Sequence, residues 1–113
     1  ERGDALVGAD GIHSVLREAL HGPTEAAFTG CVAWRDVVPA AALPPHLAAP
    51  VAANWVGPGR HVVHYPLRGG ALVNVVGVVE RNDWQEEGWT TPGTHEAMHA
   101  DFAGWHADVH TLI

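Results

Sequence analysis

GPGRHVVHYPLRGGALVNVVGVVE, residues 57–80, decides how this chain folds. Two apolar runs, Arg60 to Leu67 and Ala71 to Glu80, are joined by Arg68-Gly69-Gly70. Gly57-Pro58-Gly59 leads back from them to a third run, Val51 to Val56. Valine dominates the set, and β-branched side chains pack well on a pleated surface. Glycine at both joints is free to take positive φ, which tight hairpins demand. The pattern predicts an antiparallel meander. Gly77, alone inside the last run, predicts a bulge or the close approach of another part of the chain.

Further strand formers lie upstream: Phe28, Val32, Trp34, Val37 and Val38 predict an extended segment from Ala27 to Pro39. PAAALPPHLAAP, residues 39–50, is a connection with room for one short helical turn, because Pro44-Pro45 fits neither a helix interior nor a central strand. Downstream, residues 81–93 hold Trp84, Trp89 and Pro92-Gly93 and read as a loop. A helix starts near Thr94, Gly104 interrupts it, and Ala107 to Ile113 begins another. There is no internal repeat.

The first residues have a different character. In LVGADGIHSVLR, residues 6–17, the run Ala5 to Ala9 has the length of a buried strand and turns through Asp10-Gly11. Residues 13–20 then read as a helix, with Val15, Leu16, Ala19 and Leu20 on one face, Ser14 able to cap it and Gly22-Pro23 to stop it. A strand passing through glycine into a helix N-terminus can build an anion site, and Asp10 at the strand end can accept ribose hydroxyls. The same residues also suit an ordinary strand–turn–helix joint.

Composition narrows the class. The 113 residues carry a net charge of −7, and all six cations are arginine. An acidic chain without a basic cluster argues against nucleic acid and against an anionic membrane surface. No apolar run is long enough to span a membrane. One cysteine, Cys31, excludes an internal disulfide framework and fits a reducing compartment such as the cytoplasm; the residue reads as a small buried side chain. Glu1 in place of Met, and an amphipathic run at HTLI, predict a piece of a longer protein.

GADGIHSVLR resembles the second fingerprint of the single-component FAD-dependent aromatic-ring monooxygenases. There an Asp-Gly pair follows a hydrophobic strand, with Ser and Arg at the spacings held here by Asp10, Gly11, Ser14 and Arg17. TGCVAWRDVVP, residues 29–39, resembles the entry to that family's substrate sheet. Residues 57–80 resemble its central hairpin in the salicylate and hydroxybenzoate hydroxylase branch, and DFAGWHADVHTLI, residues 101–113, its helical return. The resemblance implies an α+β or α/β fragment in three parts. Residues 1–24 would end a Rossmann-like FAD-binding domain, 25–92 form an antiparallel substrate-binding sheet, and 93–113 a helical segment of the substrate domain. It further implies FAD and NAD(P)H as cofactors and a small aromatic acid as substrate. Gly8, Asp10, Gly11, Ser14 and Arg17 would lie at the cofactor. The family's N-terminal glycine-rich ADP-gripping motif and its later Gly-Asp segment have no counterpart in these residues.

His61 and Tyr65, four apart on a strand, share a face with Val63, while His64 points the other way. In the salicylate-like branch a His-x-x-x-Tyr-Pro-x-Arg string lines the pocket, matched here by His61, Tyr65, Pro66 and Arg68. There the His can take the phenolic proton, which suits imidazole chemistry, since a ring bearing O⁻ is the better nucleophile towards an electrophilic oxygen. From the residues alone a half-exposed histidine in a His-rich chain is the plainer reading of His61; the resemblance tips it towards the proton-taking role. Arg35 suits a substrate carboxylate, but a solvent-facing cation paired with Asp36 or a distant acid is its plainer reading; Trp55 and Asn74 suit either face; Arg68 also suits a plain turn. His95 and His99, and likewise His106 and His110, are spaced four apart as two ligands of one metal can be. The HExxH glutamate is missing, and solvated helix histidines fit better. A non-catalytic β-sheet binding module, with or without a His-bound metal, is the alternative to the enzyme.

Overall fold

The structure is a computed structural model that describes residues 3–83, 88 and 90–113; Trp84 and Trp89 of the expected loop lie outside these. Four strands, β1 (Cys31–Pro39), β2 (Ala53–Gly57), β3 (Arg60–Leu67) and β4 (Leu72–Glu80), form one antiparallel sheet in the order β1-β4-β3-β2. Three helices accompany it: α1 (Val15–His21), α2 (His95–Asp101) and α3 (Ala107–Leu112).

The hairpins form where glycine permits them. Gly57 pairs with Arg60 across Pro58-Gly59, and Gly59 has φ 64°. Leu67 pairs with Leu72 across a turn in which Arg68, Gly69 and Gly70 all have positive φ. Pro66 lacks an N–H, yet is tolerated because β2 ends its pairing at Ala53↔His64 and so never reaches it.

The register assigns every side chain a face. Val62 and His64 of β3, Val73, Val75, Gly77 and Val79 of β4, and Val32 and Trp34 of β1 point to the face that α2 and α3 cover. Val62, Val73, Val75, Val79, Met98, Phe102, Val109 and Leu112 form the core there, closed at one side by Leu43 and Leu47 from the proline-rich connection. Gly77 makes no bulge, because the β1 and β3 registers run through it without a break. It is the close approach: a Cβ there would stand 2.8 Å from the buried Phe102 ring. The end of α2 is tied to the sheet through Asp101. Its Oδ2 accepts from Trp34 Nε1 at 2.8 Å and from Arg81 Nη1 at 3.0 Å, and its carbonyl accepts from Arg60.

Two expectations need correction. Ala5 to Ala9 is not a strand, and Leu6 and Val7 are 77% and 86% exposed. A strand needs a neighbour for its backbone groups, and no described strand pairs with residues 5–9. Residues 27–30 are not strand either; β1 begins only after Gly30, whose φ of 80° turns the chain. The α1 helix forms, but it buries no residue. The radius of gyration, 18.1 Å, accordingly exceeds the ~13 Å of a compact domain this size.

Gly77→Ala should test the packing of α2 on the sheet. The added methyl meets a ring with nowhere to move, so urea unfolding should show a loss of about 1–3 kcal/mol. An unchanged midpoint would mean that Phe102 does not rest on Gly77.

Candidate active site

The face away from the helices carries the residues with chemistry. By register, three central rows cross it. Ala33, Val78, His61 and Val56 form one; Arg35, Val76, Val63 and Asn54 the next; Val37, Asn74 and Tyr65 the third. His61 and Tyr65 therefore stand about 13 Å apart along β3, with Val63 between them. Arg35 lies two strands away in the middle row. Asn74 joins this face as the direct cross-strand neighbour of Tyr65, and Trp55 belongs to the other. Tyr65 is 37% exposed, whereas Asn74 is 9% exposed. Arg68 sits exposed in the β3–β4 turn at φ 49°.

His64 does a different job. Trp55 Nε1 donates to His64 Nδ1 at 3.2 Å, which places the neutral ring's proton on Nε2. The Trp55 ring also lies near-parallel to the rings of His64 and His106. Burial holds the His64 pKa below the ordinary histidine value. Sequence reasoning placed His64 on the opposite face but did not foresee this bond; His64→Ala would strip Trp55 of its acceptor.

The Asp-Gly stretch folds into a self-capped turn. Asp10 Oδ2 accepts from Val15 N at 2.9 Å and Leu16 N at 3.3 Å, and its Oδ1 accepts from Ser14 Oγ at 2.6 Å. Ser14 Oγ in turn accepts from Arg17 N at 3.0 Å, so it caps α1 as expected. The negative group at this helix N-terminus is the chain's own carboxylate, and the Ser14 bond, ahead of the backbone bonds, holds the Asp10 pKa below its usual value. Arg17 closes the unit by donating to Thr24 Oγ1 at 3.2 Å and to the Ile12 carbonyl. Gly11, at φ 77°, has open space where a Cβ would stand, while one on Gly8 would meet Leu16 Cδ1 at 3.0 Å. The turn thus leaves its backbone approachable at Gly11 and keeps a lone pair of Asp10 in reserve.

Two clefts lie elsewhere. One of about 490 Å³ follows α1 past Ser14, Arg17 and Thr24. Another of about 730 Å³ runs along β1 beside Trp34, Arg35, His95 and Met98. Neither touches His61 or Tyr65. The histidines of α2 and α3 do not pair four apart: His99 Nδ1 meets His110 Nδ1 at 3.1 Å across the two helices, with parallel rings. Among the described residues no three His, Cys, Asp or Glu side chains converge as a metal site. No described helix is long and apolar enough to cross a membrane. Cys31, expected buried, is exposed on the sheet edge.

The chain shares its sequence and fold with known proteins. It is 40% identical over all 113 residues to a 3-amino-4-hydroxybenzoate 2-monooxygenase of Streptomyces platensis, spanning 28% of that protein. It is 45% identical over 104 residues, 91% of this chain, to a 3-hydroxybenzoate 6-hydroxylase of Polaromonas naphthalenivorans, spanning 25% of it. Its fold matches a salicylate hydroxylase substrate complex with a TM-score of 0.72 and 29% identity, covering 92% of this chain and 30% of the other. It matches Klebsiella pneumoniae HpxO, solved with FAD and uric acid, with a TM-score of 0.72 and 28% identity, covering 97% and 27%. No protein-family profile matches the chain. Sequence and fold alike relate it to the FAD-dependent aromatic-ring monooxygenases, of which it spans a quarter to three-tenths of the length.

The buried, neutral His64 predicts a pH dependence. Its folded-state pKa lies below the unfolded value of about 6.5, so the unfolded chain binds the proton first. Its contribution is present above that value and is lost as pH falls through the lower folded pKa. Urea unfolding from pH 7 to pH 4.5 should show this decline, and His64→Gln, which keeps an acceptor but does not titrate, should lessen it. An identical pH profile in the variant would contradict the assignment.

Proposed function

We propose that this chain, as kin of the FAD-dependent aromatic-ring monooxygenases, supplies the substrate sheet and one cofactor-contacting turn of an enzyme that hydroxylates a small aromatic acid. The observation that carries this reading is the open sheet face, where His61, Tyr65 and Arg35 share one side of β1 and β3. On this reading residues 1–24 complete a Rossmann-like FAD domain, 25–92 form the substrate-binding sheet and 93–113 its helical backing. The Ala5–Ala9 run would then gain its strand partners from other parts of the enzyme. The setting is cytoplasmic, with NAD(P)H as reductant.

Bound FAD, reduced by NAD(P)H and meeting O2, would supply the electrophilic oxygen. The chain's own residues do the rest. Gly8, Asp10, Gly11, Ser14 and Arg17 suit the nucleotide: Gly11 admits a close approach, and the capped turn holds Asp10 in place for a ribose hydroxyl. Arg35 offers a fork of donors to a substrate carboxylate. Val63 and Val76 make an apolar floor for an aromatic ring. His61 takes the phenolic proton, and Tyr65 orients the ring's oxygen from the other end. A ring that has lost this proton is more electron-rich and attacks the oxygen faster.

His61→Ala in the full-length enzyme should impair hydroxylation by roughly 10²–10⁴-fold, while flavin reduction by NAD(P)H changes less. Oxygen consumption should then release hydrogen peroxide, and the deficit should shrink at high pH, where the phenol ionises unaided. His95→Ala, on the exposed start of α2, is the control. Product formed per NAD(P)H consumed decides it: coupling retained in His61→Ala across the pH range would remove His61 from the reaction.

Asp10→Ala should lower FAD retention or the rate of flavin reduction. Asp10→Asn, which keeps an acceptor for the α1 N–H groups, separates the cap from the nucleotide contact. If FAD retention and reduction are unchanged in both variants, Asp10 is a capping residue alone.

A further inference from the structure

The open face holds one polar group that the sheet itself does not satisfy. Asn74 is nine-tenths buried, and its Nδ2 has no hydrogen-bond partner among the described residues. Its neighbours explain why. Val37 and Tyr65 flank it across the strands, and Leu72 and Val76 along β4 share its face. Of these only Tyr65 carries a polar atom, and that lies at the far end of an outward-pointing ring. β4 is otherwise a run of valines and leucine around Gly77, so valine at position 74 would suit the strand better than an amide. A buried amide without a partner is expensive, and native structures rarely keep one that nothing meets. This one stands beside Tyr65, on the face that also carries His61 and Arg35.

We propose that Asn74 is a substrate-binding residue: its side-chain amide donates to an oxygen of the aromatic substrate, a carboxylate or a ring oxygen, at the Tyr65 end of the open face. This rests on the monooxygenase reading. The amide adds a neutral donor to the charged fork of Arg35, and the two together select a ring bearing oxygen substituents over a plain hydrocarbon.

The test uses the full-length enzyme with Asn74→Val and Asn74→Asp, and 3-hydroxybenzoate and salicylate as probes. Valine should weaken substrate binding by about 10–100-fold and leave FAD retention unchanged. It should also raise the melting temperature, because an unmet buried amide is gone; a merely structural amide would lower it. Aspartate should bind these anionic probes more weakly still, having an acceptor where a donor is needed. Loss of FAD with substrate affinity intact would overturn the proposal and assign the amide to a flavin oxygen. Unchanged affinity in both variants would overturn it as well. A wild-type enzyme that turns over while Asn74→Val binds normally rejects only the role of Asn74. A wild-type enzyme that neither holds FAD nor oxidises any aromatic acid rejects the functional reading and this inference together.

Discussion

Phe102 lying against Gly77 is the contact on which the rest depends. It lets the Phe102 ring at the end of α2 settle directly on the β4 backbone, and with α3 it seals one face of the sheet. The period-two geometry of strands then forces the remaining side chains of β1, β3 and β4 onto the other face. Val62 and His64 go inwards, so His61, Val63 and Tyr65 must face outwards. A one-residue slip in β3 would bury His61 and expose His64. The hairpin at Pro58-Gly59 and the four-residue turn after Leu67 oppose such a slip from both ends.

The two faces do different chemistry. Inside, His64 is a neutral acceptor clamped by Trp55, and its burial works against charge. Outside, histidine, tyrosine and arginine lie along a half-open valine surface where a ring can rest. One residue breaks the division: Asn74 is buried to nearly the degree of the core valines yet sits on the chemical side. The Asp10 turn shows the same economy of charge, a carboxylate spent first on its own helix and only then available to a ligand.

The sheet was legible because its signals are local. Valine-rich runs bounded by glycine turns placed β3 to the residue and β2 and β4 within two, and Gly77 announced its close neighbour. The face of His61 and Tyr65 followed from spacing alone. Ala5 to Ala9 misled because an apolar run states only a capacity; whether it becomes a strand depends on a partner, and none of the described strands adjoins it. The His99–His110 contact was not legible either, because Gly104, at φ 80°, bends the chain and brings two residues eleven apart together. The Trp55–His64 bond and the Asn74 burial were not legible. Both arise from residues distant in sequence or on neighbouring strands, and no spacing rule reports them.

The central claim is that the open face, and not the helix-covered face or the cleft along β1, receives the substrate. A crystal structure of the full-length enzyme holding a hydroxybenzoate tests it most directly. The account predicts the aromatic ring over Val63 and Val76, with its oxygens within hydrogen-bonding distance of His61 and Tyr65. A ring bound instead in the β1 cleft beside Trp34 and Met98, with His61 and Tyr65 out of reach, would contradict it.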